Sequence, residues 1–332
     1  MKPTRYGFLL VPNYSMIAFS AAVEALRMAN RLSEQTLYEW KTLTMDGESV
    51  QASNGLTVVP DGSAQDSHHL DALFVCAGVH VEQCVNRSLL LYLRNIAQRK
   101  IAIGALCTGT YLLAKADLLT GYRCTIHWEN MAIMHEEFPE IIVSPELFEI
   151  DRDRFTCSGG TTPLDMMLTL IRQQHGQKLA SSISEEFICD RIRGRNDRQR
   201  VPLKHALGTS QPKLMEAVSL MESNLEEPIS LDELSRHVGI SRRQLERLFQ
   251  KHLQCVPTRY YLELRLRRAR QLLLHTSKSI VDIAFSCGFV SAPHFSKCYR
   301  DFFNIPPREE RRAQAHTASE SLKIEDIKKA AV

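Results

Sequence analysis

Five polar side chains on one short helix carry the most specific chemistry in this chain: Arg242, Arg243, Glu246, Arg247 and Gln250, within SRRQLERLFQKHL. Leu245, Leu248 and Phe249 recur at helical spacing and face a core, which turns those five outward. An Arg guanidinium matches the O6 and N7 acceptors of guanine, and a Glu carboxylate accepts from the cytosine amino group. Arg243, Glu246 and Arg247 fall at i, i+3 and i+4, one face suited to reading base edges. A later helix, SAPHFSKCYRDFF, turns Phe295 and Tyr299 inward and Ser291, Ala292, His294 and Lys297 outward. Ala292 offers no more than a methyl contact to thymine. Cys107 is a candidate of another kind. In AIGALCTGTYLLA it ends an apolar run between Gly104 and Gly109, the pattern of a sharp strand-to-helix turn that exposes a nucleophile. Backbone N–H groups at a helix start favour a thiolate there. Taken alone, a Cys at a tight turn reads equally well as a small buried residue.

The elements that position these residues follow from the same patterns. SLDELSRHVGISRRQLERLFQKHL (230–253) and SIVDIAFSCGFVSAPHFSKCYRDFF (279–303) each read as helix, Gly turn and helix. Gly239 and Gly288 permit the positive φ of a sharp turn, and Ser241 and Ser291 cap the helix that follows. In such a unit the second helix enters the major groove. Between the pair, PTRYYLELRLRRARQLLLHTS starts a helix at Pro257. Leu262, Leu266, Ala269 and Leu273 supply its core face, with Arg259, Arg265, Arg267, Arg268 and Arg270 around the remainder. The first two hundred residues alternate instead. Strands are predicted over 6–12, 38–45, 55–60, 70–78 and 100–107, then in RCTIH, IIVS and FEIDRDRFTCSGG. Helices are predicted over 16–32, 81–99, 108–119, 162–176 and 177–193. Continuous apolar strands between helices predict a mostly parallel sheet covered on both faces. Ligands of such sheets bind outside the carboxyl ends of the strands, where Cys107 falls. Gly159, Gly160, Thr161 and Thr162 precede a helix, either as a turn and cap or as an anion site made of backbone N–H groups.

A chain of 332 residues with 44% apolar content supports two cores. The predicted division is a domain over 1–190, a basic linker over 191–212, a second domain over 213–312 and a disordered polar tail over 313–332. Residues 204–312 hold 18 basic against 12 acidic side chains, whereas residues 1–203 hold 20 against 23. The positive domain is the one with the paired helical units, as phosphate binding requires. Nine dispersed cysteines without metal-ligand spacing fit a reducing cytoplasm. No apolar run reaches membrane length and the N-terminus lacks a signal-peptide pattern, so the expected location is cytoplasmic, with no membrane partner. No cofactor or metal is expected.

Residues 213–312 resemble the DNA-binding domain of the AraC/XylS family, through DELSRHVGISRRQLERLF, YYLELRLRRARQLL and DIAFSCGF followed by APHFSKCYRDFF. Pro307 and Arg311 match the family's closing segment, while Asn304 replaces the usual Gly and Glu310 the usual aromatic. Asn tolerates the left-handed conformation. The resemblance implies base contacts from Arg243, Glu246 and Arg247, and two recognition helices in successive major-groove segments about 34 Å apart. Residues 5–175 resemble the class I glutamine-amidotransferase-like fold in its PfpI-type branch, notably through GALCTGTYLLAKADLLTGYRCTIHW. Together the halves resemble the GlxA-type AraC regulators. That implies an α/β flavodoxin-like, mostly parallel sheet sandwiched by helices, followed by an all-α domain with two helix-turn-helix units. It also implies a non-enzymatic transcriptional activator that binds promoter DNA and RNA polymerase, dimerises through its N-terminal domain and responds to a small amine or amino-acid-like effector. A quaternary ammonium compound such as glycine betaine or carnitine is the expected effector, with arginine the alternative. The implied pocket holds Glu24, Cys107, Thr108, His127 and Trp128, where Trp128 would meet a quaternary ammonium by cation–π attraction. The competing reading is a cysteine amidase or hydrolase using Cys107, His127 and Glu24. Thr108 opposes it, because PfpI-type proteases carry His directly after the nucleophile.

Overall fold

A computed structural model of the chain describes residues 2–189, 191–194, 199, 211–276 and 278–312. It divides into two compact units, Met1–Arg200 and Val201–Val332. The tail expected beyond residue 312 and most of the expected linker lie outside the described residues.

The first unit follows the alternation of its sequence. Its strands are β1 (Thr4–Leu10), β2 (Tyr38–Thr44), β3 (Val50–Gln51), β4 (Thr57–Val58), β5 (Gly62–Ser63), β6 (Ala72–Cys76), β7 (Ala102–Leu106), β8 (Arg123–Cys124), β9 (Ile142–Val143), β10 (Phe148–Asp151) and β11 (Arg154–Cys157). Its helices are α1 (Met16–Ser33), α2 (Arg87–Gln98), α3 (Gly109–Lys115), α4 (Met131–Glu137), α5 (Thr162–His175) and α6 (Gln177–Glu186). Seven strands form one sheet in the order β10-β11-β7-β6-β1-β2-β5, parallel throughout except for the β10–β11 hairpin. Alternate residues of each central strand enter opposite cores. Tyr6, Phe8 and Leu10 of β1 and Phe74 of β6 pack with α1, α5 and α6. Leu9 of β1, with Leu73 and Val75 of β6, packs with α2, α3 and α4. This is why the strands read as unbroken apolar runs: both faces are covered.

Three expectations shift. The segment predicted as a strand over 55–60 pairs only in the β3–β4 hairpin, outside the main sheet. The helix predicted over 81–99 is broken, because Asn86 accepts the Leu89 N–H at 2.9 Å and starts α2 afresh. The helix predicted over 177–193 ends at Glu186.

The second unit comprises α7 (Pro212–Ser223), α8 (Leu231–Val238), α9 (Arg242–Leu253), α10 (Pro257–His275), α11 (Ile280–Ser286) and α12 (Ala292–Phe303), with a helical segment at 307–312. Leu214, Met221, Leu234, Val238, Leu245 and Phe249 form one core with Tyr261 and Leu264 of α10. Leu266, Ala269 and Leu273 of α10 are also buried, and this helix packs on α11 and α12 as well. One apolar stripe was expected on α10. It buries a wider surface because it is packed between both helix pairs, and Leu262 is only partly covered.

Candidate nucleic-acid interface and effector pocket

The two helix-turn-helix units are built alike. Ser230 and Ser241 cap α8 and α9 in reciprocal capping boxes with Glu233 and Gln244. Ser279 and Ser291 accept the backbone N–H groups of Asp282 and His294. After α8 the Gly239 N–H bonds Arg236 O and the Ile240 N–H bonds Ser235 O, while after α11 Gly288 bonds Phe285 O and Phe289 bonds Ala284 O. Both turns are therefore Schellman caps with a left-handed glycine and an apolar residue after it. A Cβ at Gly288 would also fall 2.5 Å from Pro228 Cγ. Asn304 ends α12 at φ +58, so it fills the place of the usual Gly as expected.

On α9, Leu245 and Phe249 are buried while Arg242, Arg243, Arg247 and Gln250 are exposed. The polar residues are not equivalent. Arg242 bonds Glu246 at 3.1 Å and lies 3.5 Å from Asp232, so Glu246 is held by Arg242. Arg243 and Arg247 make no ion pair among the described residues. On α12, Lys297 is exposed, the His294 ring packs edge-on against Phe289 with Nε2 3.4 Å from Cys298 Sγ, and Ser291 is engaged as the cap.

Not all the arginines of α10 form a solvated basic surface. Arg265 donates to Cys287 O at 2.7 Å and Gly288 O at 2.6 Å, with its guanidinium over the Phe289 ring at 4.2 Å. It clamps the second turn. Arg267 pairs with Glu263, and Arg270 donates to Glu310 at 2.7 Å. Glu310, where the family carries an aromatic, is buried and also accepts the Tyr299 hydroxyl, so a polar triad fills that space. The spacing of α10 shows the Arg267–Glu263 pair, four residues apart, but gives no sign of the partners of Arg265 and Arg270, which lie 22 to 40 residues away.

In the first unit Cys107 occupies a strained elbow. Its φ is +61, rare for a side chain with a Cβ, directly after β7 and two residues before α3. Its N–H donates to Cys157 O at 3.1 Å. Neighbouring backbone approaches closely: a Cβ on Gly109 would lie 2.3 Å from Val75 O, and one on Gly159 2.8 Å from Cys107 Sγ. Thr108 is buried and donates its hydroxyl to Gly78 O at 2.6 Å. These walls leave the Cys107 side chain 8% exposed, and burial, followed by the neighbouring Cys157 thiol, pushes its pKa up to about 12. The activated thiolate expected from helix-terminus position is therefore reversed, because desolvation outweighs the N–H groups of a seven-residue helix.

The other residues of the expected acid–base group have partners of their own, although Glu129, beside His127, lies within electrostatic reach of the Cys107 thiol. His127 lies 3.7 Å from Glu129 and packs beside Trp128, and burial lowers its pKa while Glu129 opposes that shift. Among the described residues no hydrogen bond links it to Cys107. Glu24 stands in the middle of α1, half-exposed, with its carboxylate 2.6 Å from Arg27. At the head of α5, Gly159 and Gly160 have positive φ, and Thr162 bonds back to Gly159 O. The Arg193 side chain binds Thr161 and Asp165 there at 2.7 and 2.6 Å. This segment is a tight turn without a side-chain cap at Thr161 and with a guanidinium over it, and Arg193 belongs to the first unit rather than to a free linker. Two surface cavities, of about 470 and 440 Å³, lie beside Tyr92 and Arg99 and beside Trp40 and Glu39. Neither is lined by Cys107, Thr108, His127 or Trp128. Among the described residues no cluster of His, Cys, Asp or Glu is arranged to hold a metal, and no helix is long and apolar enough to cross a membrane.

Comparison with known proteins agrees with both halves. Residues 8–173 match the DJ-1/PfpI family and residues 234–313 a helix-turn-helix domain family. The chain is 56% identical over 312 residues to the HTH-type transcriptional regulator GbdR of Pseudomonas aeruginosa, covering 94% of this chain and 85% of that protein. It is 47% identical over 310 residues to the HTH-type transcriptional regulator ArgR of the same species, covering 93% of each. A crystal structure of an AraC family transcriptional regulator from Pseudomonas putida is 31% identical with a TM-score of 0.51, covering 56% of this chain and 100% of that one. Both of these full-length relatives are transcriptional regulators, and each matches more than nine-tenths of this chain. The chain belongs to the AraC-type transcriptional regulators that join a DJ-1/PfpI-family domain to a double helix-turn-helix DNA-binding domain.

Proposed function

We propose that this regulator is a transcriptional activator acting in the cytoplasm, and that its first unit senses a quaternary ammonium compound such as glycine betaine or carnitine. The observation that supports the output half best is the pairing on α9: Arg242 and Glu246 neutralise one another, while Arg243 and Arg247 stay exposed without an ion pair among the described residues. Those two guanidinium groups carry the direct base readout, and Glu246 serves chiefly to hold Arg242. Gln250, Ser291, Ala292, His294 and Lys297 supply the remaining contacts. The effector site is assigned to the elbow region and the residues that the family resemblance implies there, Cys107, Thr108, His127 and Trp128. Glu24, tied to Arg27, takes part only if that pair opens. An effector that binds one domain arrangement better than another shifts the population that recruits RNA polymerase. Dimerisation through the first unit completes the proposal.

The test is a thermal-shift series on the full chain with glycine betaine, carnitine, choline and arginine. Binding to the native state alone raises the transition by mass action, about 2.7 kcal/mol of stabilisation at a hundred times Kd. A shift with arginine alone would replace the effector class, and no shift with any of the four at saturating concentration would remove the assignment. The hydrolase alternative is disfavoured by a thiol pushed up to about 12 and by relatives that are regulators.

A further inference from the structure

Gln199 lies in the basic stretch whose composition marks a linker, yet its side-chain amide is inserted into the first unit. Nε2 faces Thr125 Oγ1 at 2.8 Å, Ile126 O at 2.9 Å and Glu146 O at 3.0 Å. Three oxygens surround one nitrogen, which fixes the orientation of the amide. Turned over, Oε1 would meet two carbonyl oxygens that cannot donate. The Thr125 hydroxyl directs its own hydrogen to Ser144 O or Glu146 O, at 2.9 or 2.8 Å, and so serves Gln199 as an acceptor.

This socket is part of the framework around the elbow. Thr125 is fully buried, its carbonyl accepts the Thr110 hydroxyl of α3 at 2.8 Å, and its N–H donates to Thr156 Oγ1 of β11 at 2.9 Å. Thr110 is three residues beyond Cys107, and Ile126 is peptide-bonded to His127, so a shift of His127 moves one of the three socket oxygens directly. Gln199 Oε1 is buried, with no partner among the described residues.

We propose that Gln199 is a latch whose amide pins the linker to the first unit, and that its release is the step by which an event at the elbow reaches the DNA-binding unit. Release moves the last side-chain attachment of the linker, among the described residues, back from Gln199 to Arg193. The latch itself stands on geometry; only its signalling role rests on the proposed effector response.

The experiment compares full-length protein with Gln199→Ala and Gln199→Glu under limited trypsin, which cleaves after Arg195, Arg198 and Arg200 beside the latch. Alanine removes the donors, and glutamate sets a carboxylate against the oxygens. Both variants are expected to be cut at these sites roughly ten-fold faster than the parent, since cleavage follows the population of the open form. The Trp fluorescence transition should stay unchanged. Equal rates in all three proteins overturn the latch, as does a Glu variant as resistant as the parent. Faster cleavage of the Ala variant with unaltered transcription of a target promoter overturns the signalling role. A wild-type protein that ignores every effector tried fails the proposed sensing instead, and leaves the proteolysis result standing.

Discussion

Replacing Arg265 with Met keeps an unbranched stem in the packed interior of the second unit and removes the guanidinium fork that clamps its second turn. Two charge-assisted hydrogen bonds to Cys287 O and Gly288 O are lost, together with the contact over the Phe289 ring. Bonds from charged groups contribute about 1.5–3 kcal/mol each, and a partly desolvated cation–π contact about 1–2 kcal/mol. The sum is an upper bound, since Gly288 is only partly buried and water can reach its carbonyl in the variant. A net loss of about 2–4 kcal/mol is expected, which lowers the urea midpoint of that unit by roughly 1–2 M. Both Trp residues, Trp40 and Trp128, lie in the first unit, so fluorescence follows that unit while ellipticity reports the helices of both. The ellipticity transition should move to lower urea and the fluorescence transition should not. On promoter DNA, protection by α12 should weaken while protection by α9 persists. An unchanged ellipticity midpoint with a full footprint would refute the clamp and return Arg265 to the solvated surface.

Arg243→Ala and Arg247→Ala should each weaken promoter binding by roughly ten- to a hundred-fold at fixed salt and relax sequence preference, at about 1–3 kcal/mol per bidentate contact. Arg242→Ala should cost less because that side chain is already paired, and an equal loss in quantitative footprinting would overturn this ranking. Tyr299→Phe, which deletes the hydroxyl donor to buried Glu310, is expected to lower the stability of the second unit by about 1 kcal/mol in urea, and Glu310→Ala by more. Cys107 in the native protein should react with iodoacetamide roughly ten- to a hundred-fold more slowly than an unperturbed thiol, since a pKa near 12 against an ordinary 9 cuts the thiolate fraction about a thousand-fold while the more basic thiolate is the better nucleophile. The folded state holds this proton more tightly, so its contribution to stability is intact below pH 9 and is lost as pH rises toward 12. Rapid labelling of Cys107 at pH 7 in folded protein, located by peptide mapping, would contradict the burial account.

What could be read from the sequence and what could not follow from the range over which each feature is determined. A helix cap joins residues three apart, a Schellman turn spans six, and a recognition face recurs every three or four. The paired units, their glycines, Asn304 and the outward set on α9 were therefore legible. The sheet was legible for a related reason, since strands covered on both faces must be apolar throughout. Arg265 and Gln199 were misplaced because each finds its partners elsewhere in the chain, 22 to 74 residues away, and nothing in an arginine-rich run distinguishes a guanidinium that meets carbonyls from one that meets water. Cys107 shows the limit most sharply. Local spacing correctly placed it at a strained strand-to-helix turn, and local electrostatics at that turn favour the thiolate. The opposite sign comes from backbone that arrives from β11 and from the loop after β6, brought to Cys107 only by the strand order. A DNA-reading surface must stay exposed, and one helix can present it, so its chemistry is written within a dozen residues. The elbow around Cys107 is assembled from strand ends, so its chemistry depends on segments far apart in the chain.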